Sequence, residues 1–373
     1  MKVPPVQPYF FETDIRWILA RFRGILQGKS FFSTHIYTEE FEKKFAAYIG
    51  VKYAVGCNSG TSALELICRA IDVAGKEVIL PSNTFIATAN AILNAGGKPV
   101  FADCGDDMCM DAPDAISRVT KNTAAIMHVH IGGIVSPSIV KLRDFCEKRG
   151  IHLLEDAAQA HGSSLGGIKA GAFGTAAGFS FFSTKVMTTG EGGMVTTNDV
   201  TLVSKMKSMR EFGKEKKDIY INHHTSIGYN WRMPEVAALM GLRQLKALPL
   251  FLKRRREIAV LYDKLLRGHP DIQIVKPTGA RTHNYFKYMI ILSNHDRARV
   301  HKALQKEGIG PSGYVYEIPL HKQPVFPSMH GLSLPKTEHY SARHLCLPIF
   351  YGMKNKQVEV VVSTLKKILS RDT

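Results

Sequence analysis

The chain has 373 residues, of which 45% are hydrophobic and 22% are charged. These proportions are typical of a globular protein with a sizeable core and exclude a disordered chain, and no apolar run approaches the ~20 residues of a membrane span. The 49 Lys and Arg residues against 32 Asp and Glu give a net charge of +17, which favours anionic partners without choosing between polyanions, membrane surfaces and small molecules.

Residues 50–200 alternate short apolar runs with longer helix-like stretches, and Gly, Pro or Asn bounds each run. This alternation is typical of βα units around a mostly parallel sheet. The predicted strands cover residues 53–57, 77–80, 98–102, 124–128, 151–155, 178–181 and 193–197. The predicted helices cover residues 62–71, 87–94, 111–119 and 138–149. The sequence therefore predicts an α/β protein with helices around a parallel sheet.

The pattern changes after about residue 232. Residues 233–266 are predicted to form a long helix that is interrupted near Pro249, because proline removes a helical hydrogen bond. A strand is predicted at residues 285–292 and helices at 296–307 and 357–370. Since the length exceeds one minimal domain, we predict a large domain at residues 1–245, with an N-terminal arm, and a smaller α+β domain at residues 246–373.

Cysteine spacing and the first residues bear on the compartment and on the partners. The six cysteines are scattered without a CxxC pair, so we expect free thiols, with no disulfide framework, zinc ribbon or other metal site. Residues 1–11 contain three prolines and lack the layout of a secretion signal, so we expect a cytoplasmic protein. The basic run at residues 253–256 is typical of a solvated helix face, and we expect no nucleic-acid partner and no membrane association.

The first segment with chemical content, residues 56–66, leads from a strand end through small polar residues into a helix start. The backbone N–H groups and the dipole of such a helix form an anion site, to which Thr61 and Ser62 add hydroxyl donors for a phosphate. The alternative is that these Ser and Thr residues only cap the N-terminus of an ordinary helix.

The second segment, Pro-Ser-Asn-Thr-Phe-Ile-Ala-Thr at residues 81–88, follows an apolar strand. It places Phe85 on a loop at the carboxyl edge of the sheet, where ligands bind in open α/β sheets. Phe85 is therefore a candidate for stacking on a flat ring, and simple packing of the aromatic side chain is the alternative.

The third segment, residues 151–162, leads from an apolar strand into Glu155 and Asp156 and then into small residues. An acid at the tip of a buried strand is unfavourable unless it is paired, so we expect Asp156 to face a cation or a hydrogen-bond donor. A protonated pyridine nitrogen is one such partner, and Gln159 lies within reach of the same pocket. The alternative is that these residues cap a following helix.

The fourth segment, residues 178–194, places Lys185 between an aromatic strand and a Gly-rich turn. A lysine that is desolvated in such a place has a lowered pKa and becomes a nucleophilic amine, able to form a Schiff base with an aldehyde cofactor. Phosphate loop, aromatic residue, Asp and Lys follow one another in the order that pyridoxal 5′-phosphate (PLP) requires of a protein. The four segments together therefore predict a PLP site.

The same segments resemble the DegT/StrS-type PLP-dependent sugar aminotransferases, a family of the aspartate aminotransferase superfamily (fold type I). The resemblance covers nearly the whole chain and is most specific in the TTGEGG stretch after the lysine. It rests on NSGTSALEL (58–66), PSNTFIAT (81–88), EDAAQAHG (155–162), SFFSTKVMTTGEGGM (180–194), GYNWRMPEVAALMGLRQL (228–245) and IPLHKQPVF (318–326). It implies a large domain built on a mostly parallel seven-stranded sheet.

The resemblance also implies roles for individual residues. Lys185 would hold PLP as the internal aldimine and, with Asp156, carry catalysis; Asp156 would contact the pyridine nitrogen. Further cofactor contacts would come from Gly60, Thr61, Ser62 and Ser180 at the phosphate, Phe85 on the ring and Gln159 near the ring hydroxyl. A homodimer with shared active sites follows, since Asn230 and Arg232 would complete the phosphate site of the partner subunit. His321 and Tyr314 match a segment that approaches substrate in relatives, although packing is the more common explanation for such isolated residues.

Two positions bear on the reaction. One subgroup of the family carries His at the position of Lys185 and performs dehydration, so Lys185 favours transamination. Many relatives have His-Leu-Tyr-Gly where this chain has His-Ile-Gly-Gly at residues 130–133. Because that Tyr is absent, the resemblance does not identify the sugar substrate. We expect an aminotransferase that moves an amino group from glutamate to a keto-sugar, nucleotide-linked or acidic, in amino-sugar or surface-polysaccharide biosynthesis.

Three other functions stay open at this point. A PLP-dependent lyase or cyclase acting on an amino acid would use the same Lys185 and Asp156. A non-catalytic regulator that binds PLP or a sugar would lack a cofactor residue, and none is missing from the sequence. A basic nucleic-acid-binding protein would leave the TTGEGG segment unexplained.

Overall fold

A computed structural model describes residues 2–215, 223–277 and 281–371. In this part of the chain the strands are β1 (Tyr53–Cys57), β2 (Glu77–Pro81), β3 (Lys98–Ala102), β4 (Thr123–Val129), β5 (His152–Asp156), β6 (Ser164–Leu165), β7 (Ile168–Lys169), β8 (Ala176–Ser180), β9 (Gly193–Thr197), β10 (Ile272–Ile274), β11 (Arg281–Thr282), β12 (Tyr288–Leu292) and β13 (His344–Leu347).

The α-helices of the same residues are α1 (Glu12–Leu26), α2 (Ile36–Ile49), α3 (Gly60–Ala70), α4 (Ile86–Asn94), α5 (Ala112–Ser117), α6 (Ser138–Arg149), α7 (Val200–Arg210), α8 (Glu235–Leu266), α9 (Arg297–Lys306), α10 (Pro335–Arg343) and α11 (Asn355–Leu369). Among these described helices, none combines the length and the apolar character that crossing a membrane would need.

Seven strands form the large sheet, in the order β1-β9-β8-β5-β4-β2-β3. The pairs from β8 to β3 are parallel, whereas β9 is antiparallel to both of its neighbours. The predicted α/β fold with a mostly parallel seven-stranded sheet is therefore confirmed. The predicted strands of this sheet, and the helices predicted between them, agree with the observed bounds to within two residues at either end.

Successive residues of the parallel strands face two different cores. In β2, Val78 and Leu80 pack with side chains of α3, α4 and α7, whereas Ile79 packs with side chains of α2, α6 and α8. Strand side chains alternate between faces, so a strand that is covered on both faces needs an apolar run without alternation. Helices thus cover both faces of the sheet, and the carboxyl ends of the parallel strands remain as the edge where a ligand can bind.

Helix α8 spans 32 residues, and Pro249 lies inside it. The predicted interruption near Pro249 is wrong, because Phe251 and Leu252 are buried in the core of the large sheet and hold the helix in place despite the lost hydrogen bond. The helix also crosses the predicted domain boundary. Its residues up to Leu252 belong to the core of the large sheet and those from Ile258 to a second core, and the division at residues 245 and 246 stays a prediction.

The second core lies beneath a three-stranded antiparallel sheet, β10-β12-β13, and includes side chains of α9, α11 and the end of α8. The strand predicted at residues 285–292 begins later, at Tyr288. Tyr285 has a φ of 49°, in the left-handed region that strand residues do not adopt. The helix predicted at residues 296–307 is α9, and Asp296 is its N-cap.

The N-terminal arm contacts both cores. The Val3 N–H donates to the Gly308 carbonyl at 3.0 Å and the Gly310 N–H donates to the Val3 carbonyl at 2.8 Å, which buries the Val3 side chain in the second core. Further along, the Tyr9 carbonyl accepts a hydrogen bond of 2.8 Å from the Gln244 side chain in α8. The first residues of the chain are therefore structural partners of residues more than 200 positions away.

Candidate active site

The carboxyl ends of β5 and β8 and the N-terminus of α3 border a cavity of about 430 Å³. Its position at this edge is the one expected for a ligand site in an open α/β sheet. Eight of the residues predicted from sequence line the cavity: Gly60, Thr61, Phe85, Asp156, Gln159, Ser180, Lys185 and Tyr314. The other four, Ser62, Asn230, Arg232 and His321, lie outside its lining.

Helix α3 presents its N-terminus to the cavity. Its N-cap is Ser59, whose hydroxyl accepts a hydrogen bond of 3.0 Å from the Ser62 N–H. The Ser62 hydroxyl in turn donates to the Asn58 side chain at 2.7 Å. The N-cap is therefore Ser59. This cap leaves room for an anion site, because other N–H groups of the first turn still lack carbonyl partners within the helix. A phosphate contact by the Ser62 hydroxyl stays a prediction.

Gly60 and Ser180 meet at the same end of the cavity. A Cβ atom built at Gly60 would lie 2.6 Å from the Ser180 Cβ and 3.1 Å from its Oγ, so this contact requires glycine at position 60. The absence of a side chain brings the Ser180 hydroxyl against the first turn of α3, next to Thr61. Two hydroxyls and a helix N-terminus therefore converge here, a donor set that suits a phosphate group.

Asp156 ends β5 inside the protein. Its carboxylate accepts hydrogen bonds from the Thr88 hydroxyl at 2.8 Å and from the Ala158 N–H at 3.1 Å. Burial raises the pKa of Asp156 above its usual value, and these two hydrogen bonds and the charge of Lys185 oppose that shift. In the described residues the next α-helix is α7, so the alternative that Asp156 and Gln159 cap a helix is wrong.

Lys185 stands at the wall of the cavity, with its Nζ 5.0 Å from the centre of the Phe286 ring. Burial lowers the pKa of the Lys185 amine to about 8, the charge of Asp156 opposes this shift, and the nearby Lys287 adds to it. A substantial fraction of the amine is therefore neutral, and nucleophilic, near physiological pH.

The lowered pKa gives a pH prediction for cofactor capture. Only the neutral amine attacks an aldehyde, so covalent binding of PLP by the cofactor-free protein should accelerate as the pH rises through about 8 and then level off. Stopped-flow absorbance over a pH series measures this rate, with free Nα-acetyl-lysine as the reference amine. A midpoint near 10.5, the ordinary lysine value, would show that Lys185 is not desolvated.

Phe85 is 58% exposed and does not pack in the interior, so the packing alternative is wrong for this side chain. Its ring lines the cavity and faces the Tyr316 ring at a centroid distance of 6.2 Å and an angle of 30°. Phe85 directly precedes α4 as its N-cap residue, which anchors the loop that carries it. The ring thus offers one flat apolar surface to a ligand in the cavity.

Gln159 is fixed by hydrogen bonds at both ends of its amide. Its Nε2 donates to the Tyr316 hydroxyl at 2.6 Å, and its Oε1 accepts from the Gly132 N–H at 2.7 Å. Gly132 has a φ of 63°, and a Cβ atom built there would lie 2.6 Å from the Met289 Cε. The His-Ile-Gly-Gly segment therefore holds Gln159 with its backbone, and the positive φ of Gly132 is a conformation that a tyrosine would adopt only with strain.

The predicted residues outside the lining have other partners in this chain. Asn230 is exposed and forms a backbone bridge with Glu211, and the Arg232 guanidinium lies 5.0 Å from the centre of the Phe212 ring. Their role in the site of a second subunit stays a prediction. His321 is buried, with its ring nitrogens at 2.7 Å from the Ser82 hydroxyl and 3.1 Å from a Glu338 carboxylate oxygen. That pairing agrees with the packing alternative for His321.

Several cavity residues were not predicted. Two of them, Thr88 and Glu191, lie within the 81–88 and TTGEGG segments, whose patterns give neither residue a role. Four others come from beyond residue 280, where the sequence predicts a strand and a loop: Phe286, Lys287, Val315 and Tyr316. A local pattern does not identify such residues, because long-range packing brings them to the cavity.

These residues fit PLP on their own chemistry. The α3 N-terminus with Thr61 and Ser180 suits the phosphate, Phe85 offers a flat surface, and the buried Asp156 suits a protonated ring nitrogen. The amine of Lys185 is desolvated and lines the same cavity. Fold and site together define a PLP-dependent enzyme of the α/β class.

The chain belongs to the DegT/DnrJ/EryC1/StrS aminotransferase family, whose model matches residues 14–366. It is thus a PLP-dependent aminotransferase, and the predicted family, enzyme class and cofactor are confirmed. One relative, GDP-perosamine synthase of Vibrio cholerae, is 33% identical over 336 residues, which cover 88% of this chain and 90% of the relative.

Solved structures give the same result. PseC of Helicobacter pylori, an aminotransferase involved in the biosynthesis of pseudoaminic acid, has a TM-score of 0.92 at 28% identity, covering 98% of this chain and 99% of that one. NtdA of Bacillus subtilis with bound cofactor PMP has a TM-score of 0.88 at 25% identity, covering 99% and 86%.

Proposed function

We propose that this protein transfers the amino group of glutamate to the ketone of a sugar, nucleotide-linked or acidic, in the biosynthesis of an amino sugar. The observation that carries the proposal is that Lys185 and Asp156 share one cavity with the anion site at α3. The names of the relatives support the sugar: one is a GDP-perosamine synthase and another acts in pseudoaminic acid biosynthesis. The net charge of +17 suits an anionic substrate.

In this mechanism Lys185 first holds the cofactor and then acts as the base. PLP, when bound, supplies an electron-withdrawing ring that stabilises negative charge at the carbon that loses its proton. The Lys185 amine takes the proton from the α-carbon of the donor, and in the second half of the reaction it delivers a proton to the sugar carbon that receives nitrogen. General-base transfer of this kind contributes ~10²–10⁴-fold in rate, and an amine with a pKa of about 8 suits transfer in both directions.

Asp156 would pair with the protonated ring nitrogen of bound PLP. The Thr88 hydroxyl and the Ala158 N–H both donate to its carboxylate, and they hold it in one orientation. A protonated nitrogen beside the carboxylate would compensate the desolvation that raises the pKa of Asp156. Thr61, Ser180 and the α3 N-terminus would hold the other end of the cofactor through its phosphate.

The proposal includes a homodimer in the cytoplasm. Phe31 is 72% exposed and Phe32 is 63% exposed in the single chain, and Leu26 and Ile36 near them are also exposed. Exposed apolar side chains in such proximity are typical of a subunit interface. A second copy that covers them would suit the proposed contribution of Asn230 to the site of the partner subunit. Light scattering at twice the mass of one chain is the expected result, and a monomer would contradict it.

The function is tested with the purified protein, PLP, glutamate and a panel of keto-sugars, both nucleotide-linked and free. We expect release of 2-oxoglutarate that depends on one class of acceptor, with formation of the matching amino sugar. Alanine and glutamine as donors give the comparison for glutamate. Failure with every donor and acceptor would contradict the proposal and favour a lyase or cyclase acting on an amino acid.

A further inference from the structure

A second lysine lines the active-site cavity, and the mechanism above gives it no role. Lys287 lies just before β12, and its Nζ is 5.3 Å from the centre of the Phe286 ring. The Nζ of Lys185 is 5.0 Å from the centre of the same ring. The two amines therefore border one aromatic side chain, and a substrate that reaches Lys185 comes close to Lys287.

The hydrogen bonding of Lys287 is incomplete for an ammonium group. Its Nζ donates to the Ser312 carbonyl, whereas an ammonium carries three donors. The charged neighbours that act on it are cations, Arg255 and Lys185, and burial raises the pKa of the nearby Cys346 thiol to about 11, so this thiol supplies no counter-charge. Among the described residues, no Asp or Glu forms an ion pair with Lys287.

The acidic residues of the cavity are engaged elsewhere or lie at its rim. The Asp156 carboxylate accepts from Thr88 and Ala158, and its charge acts on Lys185. Glu191 is exposed. A half-buried cation without a counter-charge is unfavourable, and such sites in folded proteins are commonly functional.

The loop at Gly132 fixes the backbone of Lys287. The Lys287 N–H donates to the Gly132 carbonyl at 3.3 Å, and a Cβ atom built at Gly132 would lie 3.9 Å from the Lys287 Cβ. Since position 132 is glycine, the lysine stem lies against bare backbone. A larger side chain there would press on the Met289 side chain and on the Lys287 stem, and would shift the lysine.

We propose that Lys287 is a specificity-determining residue that binds a carboxylate of the substrate. The inference rests on the proposed function, because it assigns the ligand of the same cavity. Two substrates can supply the carboxylate: the amino-acid donor, or an acceptor sugar that is itself acidic. The chemistry is the same in both cases, an ammonium group paired with a carboxylate through charge-assisted hydrogen bonds.

The test measures binding to the PLP-loaded protein by calorimetry, with ligands that cannot react. Glutarate represents the donor, and UDP-glucuronate is compared with UDP-glucose, which differs from it by the carboxylate. The variants are Lys287→Met, which keeps the length and removes the charge, and Lys287→Arg, which keeps the charge. Lys302→Met, an exposed lysine of α9, is the control. Should Lys287→Met fail to fold, as judged by circular dichroism, Lys287→Gln replaces it.

We expect Lys287→Met to weaken the binding of one carboxylate ligand by about tenfold or more, which is the effect of a lost charged hydrogen bond. Lys287→Arg should recover part of this binding. Weaker glutarate binding alone identifies the donor carboxylate. Weaker UDP-glucuronate binding with unchanged UDP-glucose binding identifies an acidic acceptor. Unchanged binding of all ligands, equal loss for both UDP-sugars, or no binding of either carboxylate by the wild type would overturn the inference. Because glutarate binding needs no amino transfer, a protein that binds it through Lys287 and transaminates nothing would contradict the proposed function alone.

Discussion

Replacement of Lys185 by alanine is expected to abolish covalent PLP binding and to reduce turnover by at least ~10²–10⁴-fold, since the same amine holds the cofactor and transfers the proton. The side chain lines the cavity, and its pKa of about 8 leaves much of it neutral at working pH. Two measurements apply to the same sample: the absorbance of the PLP-lysine adduct, and release of 2-oxoglutarate from glutamate with a keto-sugar acceptor.

The matched control for this experiment is Lys356→Ala. Lys356 lies in the first turn of α11 and is exposed, so its loss should change neither the absorbance nor the turnover. Added methylamine should restore part of the activity of Lys185→Ala if the proton transfer alone is missing. A Lys185→Ala protein that keeps both the adduct absorbance and full turnover would remove Lys185 from the mechanism.

Replacement of Glu155 by alanine is expected to lower the free energy of unfolding by ~3–5 kcal/mol, which is the usual effect of breaking a fully buried charged network. The Glu155 carboxylate accepts hydrogen bonds from the N–H groups of Gly171, Phe173 and Gly174 at 2.8 to 2.9 Å, and it lies 2.9 Å from the His130 Nε2. In the alanine variant these buried donors lose their acceptor. Urea denaturation followed by circular dichroism measures the change.

Two further variants sharpen the stability experiment. Glu155→Gln keeps one carbonyl acceptor and should lose less stability than Glu155→Ala. Glu257→Ala removes an exposed ion pair with Arg254 and should cost less than about 1 kcal/mol. If Glu155→Ala unfolds at the same urea concentration as Glu257→Ala, the buried network has no stabilising role.

The α/β core was predictable because its signals are local. Strands such as β2 and β4 are covered on both faces, so they show as short apolar runs that Gly, Pro or Asn bounds. The strand at residues 285–292 was predicted three residues too early, because the positive φ of Tyr285 leaves no mark in an apolar pattern. For Pro249 the local signal is misleading. Proline usually interrupts a helix, but the burial of Phe251 and Leu252 keeps α8 continuous through this position.

The residues of the site also fall into those that local sequence predicts and those that it does not. Thr61, Phe85, Asp156 and Lys185 follow strand ends, and the carboxyl ends of parallel strands meet at one edge, so chain order alone places them together. Lys287 and Tyr316 reach the cavity from the last quarter of the chain. The position of these two side chains depends on how the second core packs against the large sheet. The spacing of residues in the sequence does not predict that packing.

The N-terminal arm packs into the second core, and this sets an order for assembly. Val3 belongs to the same core as Leu365 and Leu369 of α11, so during synthesis this side chain gains those partners only after more than 360 further residues have been made. The large sheet can form first, as N-terminal segments generally do. The second core adjoins Lys287 through β12 and can close only after α11 has been made, so the Lys287 side of the cavity forms later than the side built on the large sheet.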